Sequence, residues 1–103
     1  MNKIDNICRM IDAHEALDML QEECAELIKA ASKTKRVLRS DPSVDPRKTR
    51  LNLIEEIGDV ENMLTIVMHK LLNAEEQWAV CSGESDKIQR YYDRLMERRK
   101  KHA

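Results

Sequence analysis

Leu53-Ile54-Glu55-Glu56-Ile57-Gly58-Asp59-Val60 reads as helix. Its apolar residues at 53, 57 and 60 fall on one side, with acids at 56 and 59 beside them. The same period carries on to Leu64, Val67 and Leu71. An earlier stretch, Leu20-Gln21-Glu22-Glu23-Cys24-Ala25-Glu26-Leu27-Ile28, repeats the arrangement. Its stripe is Leu17, Leu20, Cys24, Leu27, Ile28 and Ala31. A third, shorter stripe joins Ile88, Tyr91 and Leu95, with Tyr92 beside it. These patterns predict a short helix over 3–11 and long helices over 14–38, 46–73 and 84–100. No strand and no internal repeat longer than a single motif is expected.

The breaks between helices have local causes. Both prolines lie in Arg39-Ser40-Asp41-Pro42-Ser43-Val44-Asp45-Pro46, the clearest loop in the chain. Asp45 can cap the following helix, and Pro46 suits its first position, where a missing N–H costs nothing. A second break is expected at Cys81-Ser82-Gly83-Glu84, and a softer bend at Asp12-Ala13-His14.

Composition agrees with long helices. The chain of 103 residues is read as one domain, 1–103, with 42% hydrophobic and 36% charged residues. It has only two glycines, two prolines and 3% aromatics, which argues against sandwiches, barrels and glycine-rich nucleotide folds. No apolar run approaches the ~18 residues of a membrane span, and Met1-Asn2-Lys3-Ile4-Asp5 does not begin a signal peptide. Three scattered cysteines form neither a disulfide framework nor a zinc pattern, and an odd count fits a reducing, cytoplasmic setting. The net charge of −1 makes nucleic acid an unlikely partner.

Length points to assembly. At ~1.5 Å per residue the second long helix spans roughly 40 Å, which is long for so small a chain. Two such helices and a short one leave apolar surface uncovered. The expected fold class is therefore all-α: a long-helix protomer that forms a four-helix-bundle core by homo-oligomerisation, as a dimer or tetramer.

Each motif carries two acids three residues apart, Glu23 with Glu26 and Glu56 with Asp59. Residues i and i+3 share a helix face, and both pairs border their apolar stripes. Packed stripes would bring the four carboxylates together at the edge of the interface. Two carboxylates about 5 Å apart repel by roughly 3 kcal/mol at an effective dielectric near 20. Such a group calls for protons or a cation. An all-oxygen donor set suits Mg²⁺, with Mn²⁺ as substitute, and suits phosphate chemistry. The di-metal bundles that activate oxygen use Glu-x-x-His, and neither His14 nor His69 stands at that spacing. On pattern alone a solvated acidic edge competes evenly with a metal site.

Leu-x-Glu-Glu-x-x-Glu-Leu followed by Asn-Leu-x-Glu-Glu-Ile-Gly-Asp-Val resembles the all-α nucleoside triphosphate pyrophosphohydrolases. These are the MazG-like proteins, with phosphoribosyl-ATP pyrophosphohydrolase and dimeric dUTPase as relatives. The resemblance covers most of 17–72. Glu23, Glu26, Glu56 and Asp59 match the family's Glu-x-x-Glu…Glu-x-x-Asp, and the proline loop puts their spacer at the long end. It implies four metal-ligating acids, Mg²⁺, and hydrolysis of a nucleoside triphosphate to monophosphate and pyrophosphate in nucleotide-pool control. Glu22 or Glu55, adjacent to the ligands, would orient the water or a ligand. The 87–94 segment resembles the last helix of short, phage-type members more weakly. Phosphoribosyl-ATP hydrolysis, or a non-catalytic helical oligomerisation or regulatory module, are the rival readings.

Other residues carry weaker signals. Lys29 and Lys33 lie one and two turns beyond Glu26 and are candidates to meet a triphosphate; an ordinary Glu–Lys surface pair is the plainer reading. Asn52, a turn before Glu56, is a candidate for base, ribose or ligand carboxylate, or simply a polar residue near a helix start. Gly58 costs ~1 kcal/mol relative to Ala in a helix, which suggests close approach of a helix or ligand. Trp78 reads as a packing plug rather than a stacking platform. Cys8, Cys24 and Cys81 read as small buried hydrophobes, and Met19, Met63 and Met68 as core filler. His14, His69 and His102 carry no assigned role. The basic run 94–101 reads as a helix C-terminus decorated with cations, with phosphate capture by a neighbouring subunit or weak nucleic-acid contact as the alternatives.

Overall fold

The computed structural model describes residues 2–102, the side chain of residue 84 excepted. Four helices follow one another: α1 (Lys3–Met10), α2 (Ala13–Leu38), α3 (Pro46–Leu71) and α4 (Ala74–Lys101). No strand occurs among the described residues. The chain divides into two compact units, one up to Leu71 and one from Leu72.

Each helix start is built by a side-chain cap. Asn2 Oδ1 accepts from the Asp5 N–H at 2.8 Å, and Asp12 Oδ1 from the Glu15 N–H at 2.8 Å. Asp45 Oδ1 accepts from the Arg47 and Lys48 N–H groups at 2.9 and 3.2 Å, so the expected Asp–Pro start of α3 is present. Between α2 and α3 the chain closes α2 with two reverse bonds. Ser40 N–H donates to Val37 C=O at 2.9 Å and Asp41 N–H to Arg36 C=O at 3.0 Å. That is the Schellman pattern, and it places Ser40 at φ 61°.

α2 and α3 pack together as a helical hairpin. The residues withdrawn from solvent follow one rhythm. On α2 they include Ala16, Leu20, Glu23, Leu27, Ala30, Thr34 and Val37. On α3 they include Thr49, Asn52, Glu56, Asp59, Met63, Ile66 and Lys70. Alternating steps of three and four give the 3.5-residue period of helices that wrap around each other. Ala16 and Ala30 are fully buried, so the small side chains sit where the helices meet.

This seam is rotated from the predicted stripes. Leu17, Ile28, Ile57, Leu64 and Leu71, all expected in the core, are exposed. The apolar residues of each helix spread over an arc wider than one contact, and on α2 the half carrying Ala16 and Ala30 makes it. The other half stays uncovered, together with Leu51 and Ile54. Met63 lies in the core as expected, and Met19 is exposed.

α1 packs on the C-terminal half of α3. Lys70 Nζ donates to the Cys8 carbonyl at 2.6 Å, satisfying an acceptor that the last turn of α1 leaves open. The Cys8 thiol donates to the Ile66 carbonyl at 3.7 Å.

The second unit corrects the sequence reading. No break occurs at 81–84, because α4 runs unbroken from Ala74. The chain turns earlier, where Asn73 and Glu76 form a reciprocal capping box with bonds of 2.8 and 3.0 Å. That strong start outweighs the modest helix penalty of Gly83. Trp78 is 71% exposed rather than a packing plug, and Cys81 is exposed rather than buried.

Candidate metal centre

Halfway along the hairpin the seam carries charge where it would ordinarily carry aliphatic side chains. Glu23 on α2 faces Glu56 and Asp59 on α3. One carboxylate oxygen from each lies within 4.8 Å of the others, and all three residues are half-buried. The helical periods that bury Leu20 and Leu27, or Asn52 and Met63, put these acids in the same row.

Their electrostatics follow from that placement. Glu23 has its carboxyl pushed above the ordinary glutamate value of 4.5, first by desolvation, then by the charges of Asp59, Glu56, Glu22 and Glu26. Glu56 is raised too, first by desolvation, then by Asp59, Glu26 and Glu55. Among the described residues, Glu56 Oε2 is a buried side-chain oxygen with no hydrogen-bond partner. A buried acceptor without a donor is unfavourable, and such groups require an explanation. A proton or a hard cation would supply one. Three carboxylates at this separation, with no nitrogen or sulfur donor among them, fit Mg²⁺ or Mn²⁺ better than zinc or copper.

Three of the four acids marked in the sequence are thus brought together. Glu26, the fourth, is exposed and turned along the hairpin, with Oε1 3.6 Å from Lys29 Nζ. It stays near enough to raise the carboxyls of Glu23 and Glu56. Glu22 and Glu55 are exposed on the outer flank of the group and contribute charge to it.

Next to the acids lies a cavity of about 240 Å³ lined by Glu26, Lys29, Lys33, Lys48, Thr49 and Asn52. The structure therefore gathers Lys29, Lys33 and Asn52, the three substrate-binding candidates, in one place. Lys48 and Thr49 were not identifiable from the sequence. The signal that finds them is the hairpin's antiparallel register, in which facing residue numbers keep a nearly constant total. Gly58 has no counterpart to its expected crowding, since an added Cβ would meet no atom within 4 Å. His69 bonds locally to the Thr65 carbonyl at 3.0 Å.

No helix of the described residues is long and apolar enough to cross a membrane. Comparison with models of protein families, with curated proteins and with solved structures gives no match.

Proposed function

We propose that this chain is a Mg²⁺-dependent nucleoside triphosphate pyrophosphohydrolase of the MazG-like kind, acting as a homo-oligomer. The observation that carries the reading is the unpartnered Glu56 Oε2 within a group of three converging carboxylates. A fold gains nothing from such repulsion, whereas a phosphate-handling cation gains a rigid oxygen cradle from it. The exposed apolar half of the hairpin, with Leu17, Ile28, Ile54 and Leu64, supports association.

Glu23, Glu56 and Asp59 would hold the cation, with Glu26 completing the set from its position one turn along α2. When bound, Mg²⁺ supplies charge neutralisation to the phosphate oxygens and acidity to a nearby water. The chain's part is positional. The water oxygen bonds to the α-phosphorus, the bond from that phosphorus to the α,β-bridging oxygen breaks, and the water's proton passes to a carboxylate. Glu22 and Glu55, beside the ligands and open to solvent, are the candidates to orient the water and take that proton.

The test is incubation with a panel of ribo- and deoxyribonucleoside triphosphates, and phosphoribosyl-ATP, with and without Mg²⁺. Pyrophosphate and orthophosphate are measured separately. Mg²⁺-dependent pyrophosphate release that disappears in Glu56→Gln is the expected result. No pyrophosphate from any nucleotide, with the protein folded, would leave a non-catalytic helical module.

A further inference from the structure

We propose that the cavity walled by Lys29 and Lys33 of α2 and by Lys48 and Thr49 of α3 is a diphosphate-binding chamber. It holds the two terminal phosphates of the substrate and then the leaving pyrophosphate. The assignment rests on the hydrolase reading above for its place in the reaction, and on its own geometry for its chemistry.

The lining suits phosphate better than a base. Glu26, Lys29, Lys33, Lys48, Thr49 and Asn52 include no aromatic ring and no wholly apolar side chain, so the cavity offers a heterocycle no ring to stack on. Three ammonium groups against one carboxylate leave two net positive charges, next to a group of acids that is strongly negative. Lysine ammonium is a compact charge with three donors, well suited to the tetrahedral oxygens of phosphates. Thr49 is 6% exposed yet lines the cavity, which puts a hydroxyl-bearing side chain at its floor. Lys29 is tied to Glu26 at 3.6 Å, so that ion pair marks the border between the acidic and basic halves.

Direction comes from the antiparallel hairpin. Lys33 lies seven residues beyond Glu26, about 10 Å along α2, and Thr49 lies seven residues before Glu56 on α3. Both steps lead from the acids towards the 39–45 loop. A polyphosphate laid along the seam meets the acids and their cation at one end and the lysines at the other. The phosphates furthest from the nucleoside occupy the lysine end. The α-phosphorus is then left at the acids, which accounts for cleavage between the α and β phosphates rather than at the terminal one.

Titration calorimetry of the metal-free protein with inorganic pyrophosphate, tripolyphosphate, orthophosphate and a nucleoside monophosphate tests the assignment. Pyrophosphate and tripolyphosphate are expected to bind, and the monophosphate to bind more weakly. Lys48→Ala and Lys33→Gln, both at exposed positions, are each expected to weaken pyrophosphate by about tenfold or more. Glu56→Gln should keep this binding. In the hydrolysis assay Lys48→Ala should raise KM and relieve inhibition by added pyrophosphate. Pyrophosphate that does not bind, or binds Lys48→Ala as tightly as the parent, overturns the chamber while leaving any Mg²⁺-dependent turnover intact. Lysine-dependent pyrophosphate binding in a protein that hydrolyses no nucleotide would instead overturn the hydrolase reading alone.

Discussion

Asp41 and Glu56 are carboxylates of the same hairpin, and their surroundings act on them in opposite senses. In the α2–α3 loop Asp41 accepts from the Ser43 N–H at 2.9 Å, the Ser43 hydroxyl at 2.7 Å and the Arg36 guanidinium at 3.0 Å. Those bonds, with Ser43 foremost, hold its carboxyl down to about 2 from 3.8. Glu56 in the seam has an enclosed oxygen without a donor and acids for neighbours, and its carboxyl is pushed up. Local sequence supplies partners for the acid that shapes a turn. Among the seam acids, Glu56 Oε2 has no donor, which is the observation behind the cation cradle proposed above. The comparison separates an acid whose charge the fold satisfies from one whose charge it does not.

The most direct way to break that contrast is to neutralise the seam. Glu56→Gln is expected to reduce Mg²⁺-dependent pyrophosphate release by a hundredfold or more, on the scale of removing one preorganised electrostatic partner. The same change should raise the metal-free Tm, because it removes a charge from a repelling group. Retained turnover would show that the acids do not serve a cation. A lowered Tm would show that Glu56 stabilises the fold through contacts of its own.

Acidity sharpens the contrast without mutation. Glu23 and Glu56 titrate higher in the folded chain than the ordinary 4.5, so the fold holds their protons more tightly than the unfolded chain does. Their unfavourable contribution is full at neutral pH and is relieved as pH falls towards 4.5. Asp41 behaves in reverse: its stabilisation is complete above 3.8 and is lost as pH falls towards about 2. Metal-free melts with Glu23→Gln/Glu56→Gln as reference should show this seam contribution favouring the fold at pH 5 over pH 7. Mg²⁺ at pH 7 should raise the parent's Tm and leave the double variant's unchanged. An Asp41→Asn variant should melt lower than the parent at pH 7 and match it at pH 2.

The same two regions show what could be read from sequence and what could not. The loop was legible because its causes are local: two prolines, and an aspartate placed to cap Pro46. The convergence of Glu23, Glu56 and Asp59 was legible because residues three apart share a helix face, which pairs Glu56 with Asp59, and because all three acids border apolar stripes. Which side of each stripe forms the seam was not legible. Ala16 and Ala30 carry little hydrophobic signal, yet their lack of bulk lets the helices meet there. Lys48 and Thr49 were invisible for a related reason, since only the α2–α3 register places them opposite Lys33 and Lys29. At 81–84 Gly83 carries only a modest helix penalty, and the cap at Asn73 and Glu76 decides the boundary.

Gly58 offers a smaller effect, between two of the acids. A methyl there meets nothing within 4 Å, so Gly58→Ala should gain the ~1 kcal/mol that helical glycine forfeits. For a chain of this size that is a rise in Tm of about 4–8 °C. A gain in Tm accompanied by loss of assembly, measured by light scattering, would show that the glycine serves a neighbouring copy. No gain would mean that the helix is already held by its packing.

The smallest effect lies in the well-satisfied region. Ser40 takes φ 61° to close α2, a conformation that costs an L residue about 1–2 kcal/mol. Glycine at that position removes the steric cost but adds about 0.5–1 kcal/mol of unfolded-state entropy. The two nearly cancel, leaving Ser40→Gly more stable by about 0.5 kcal/mol, or roughly 2–4 °C in Tm. Ser40→Ala keeps the strained backbone and should show no gain. If both variants melt with the parent, the Arg36–Asp41–Ser43 network alone holds the turn. If Ser40→Gly also alters Mg²⁺-linked stabilisation, the loop is coupled to seam acids about three to four turns away, and the division between satisfied and unsatisfied acids fails there.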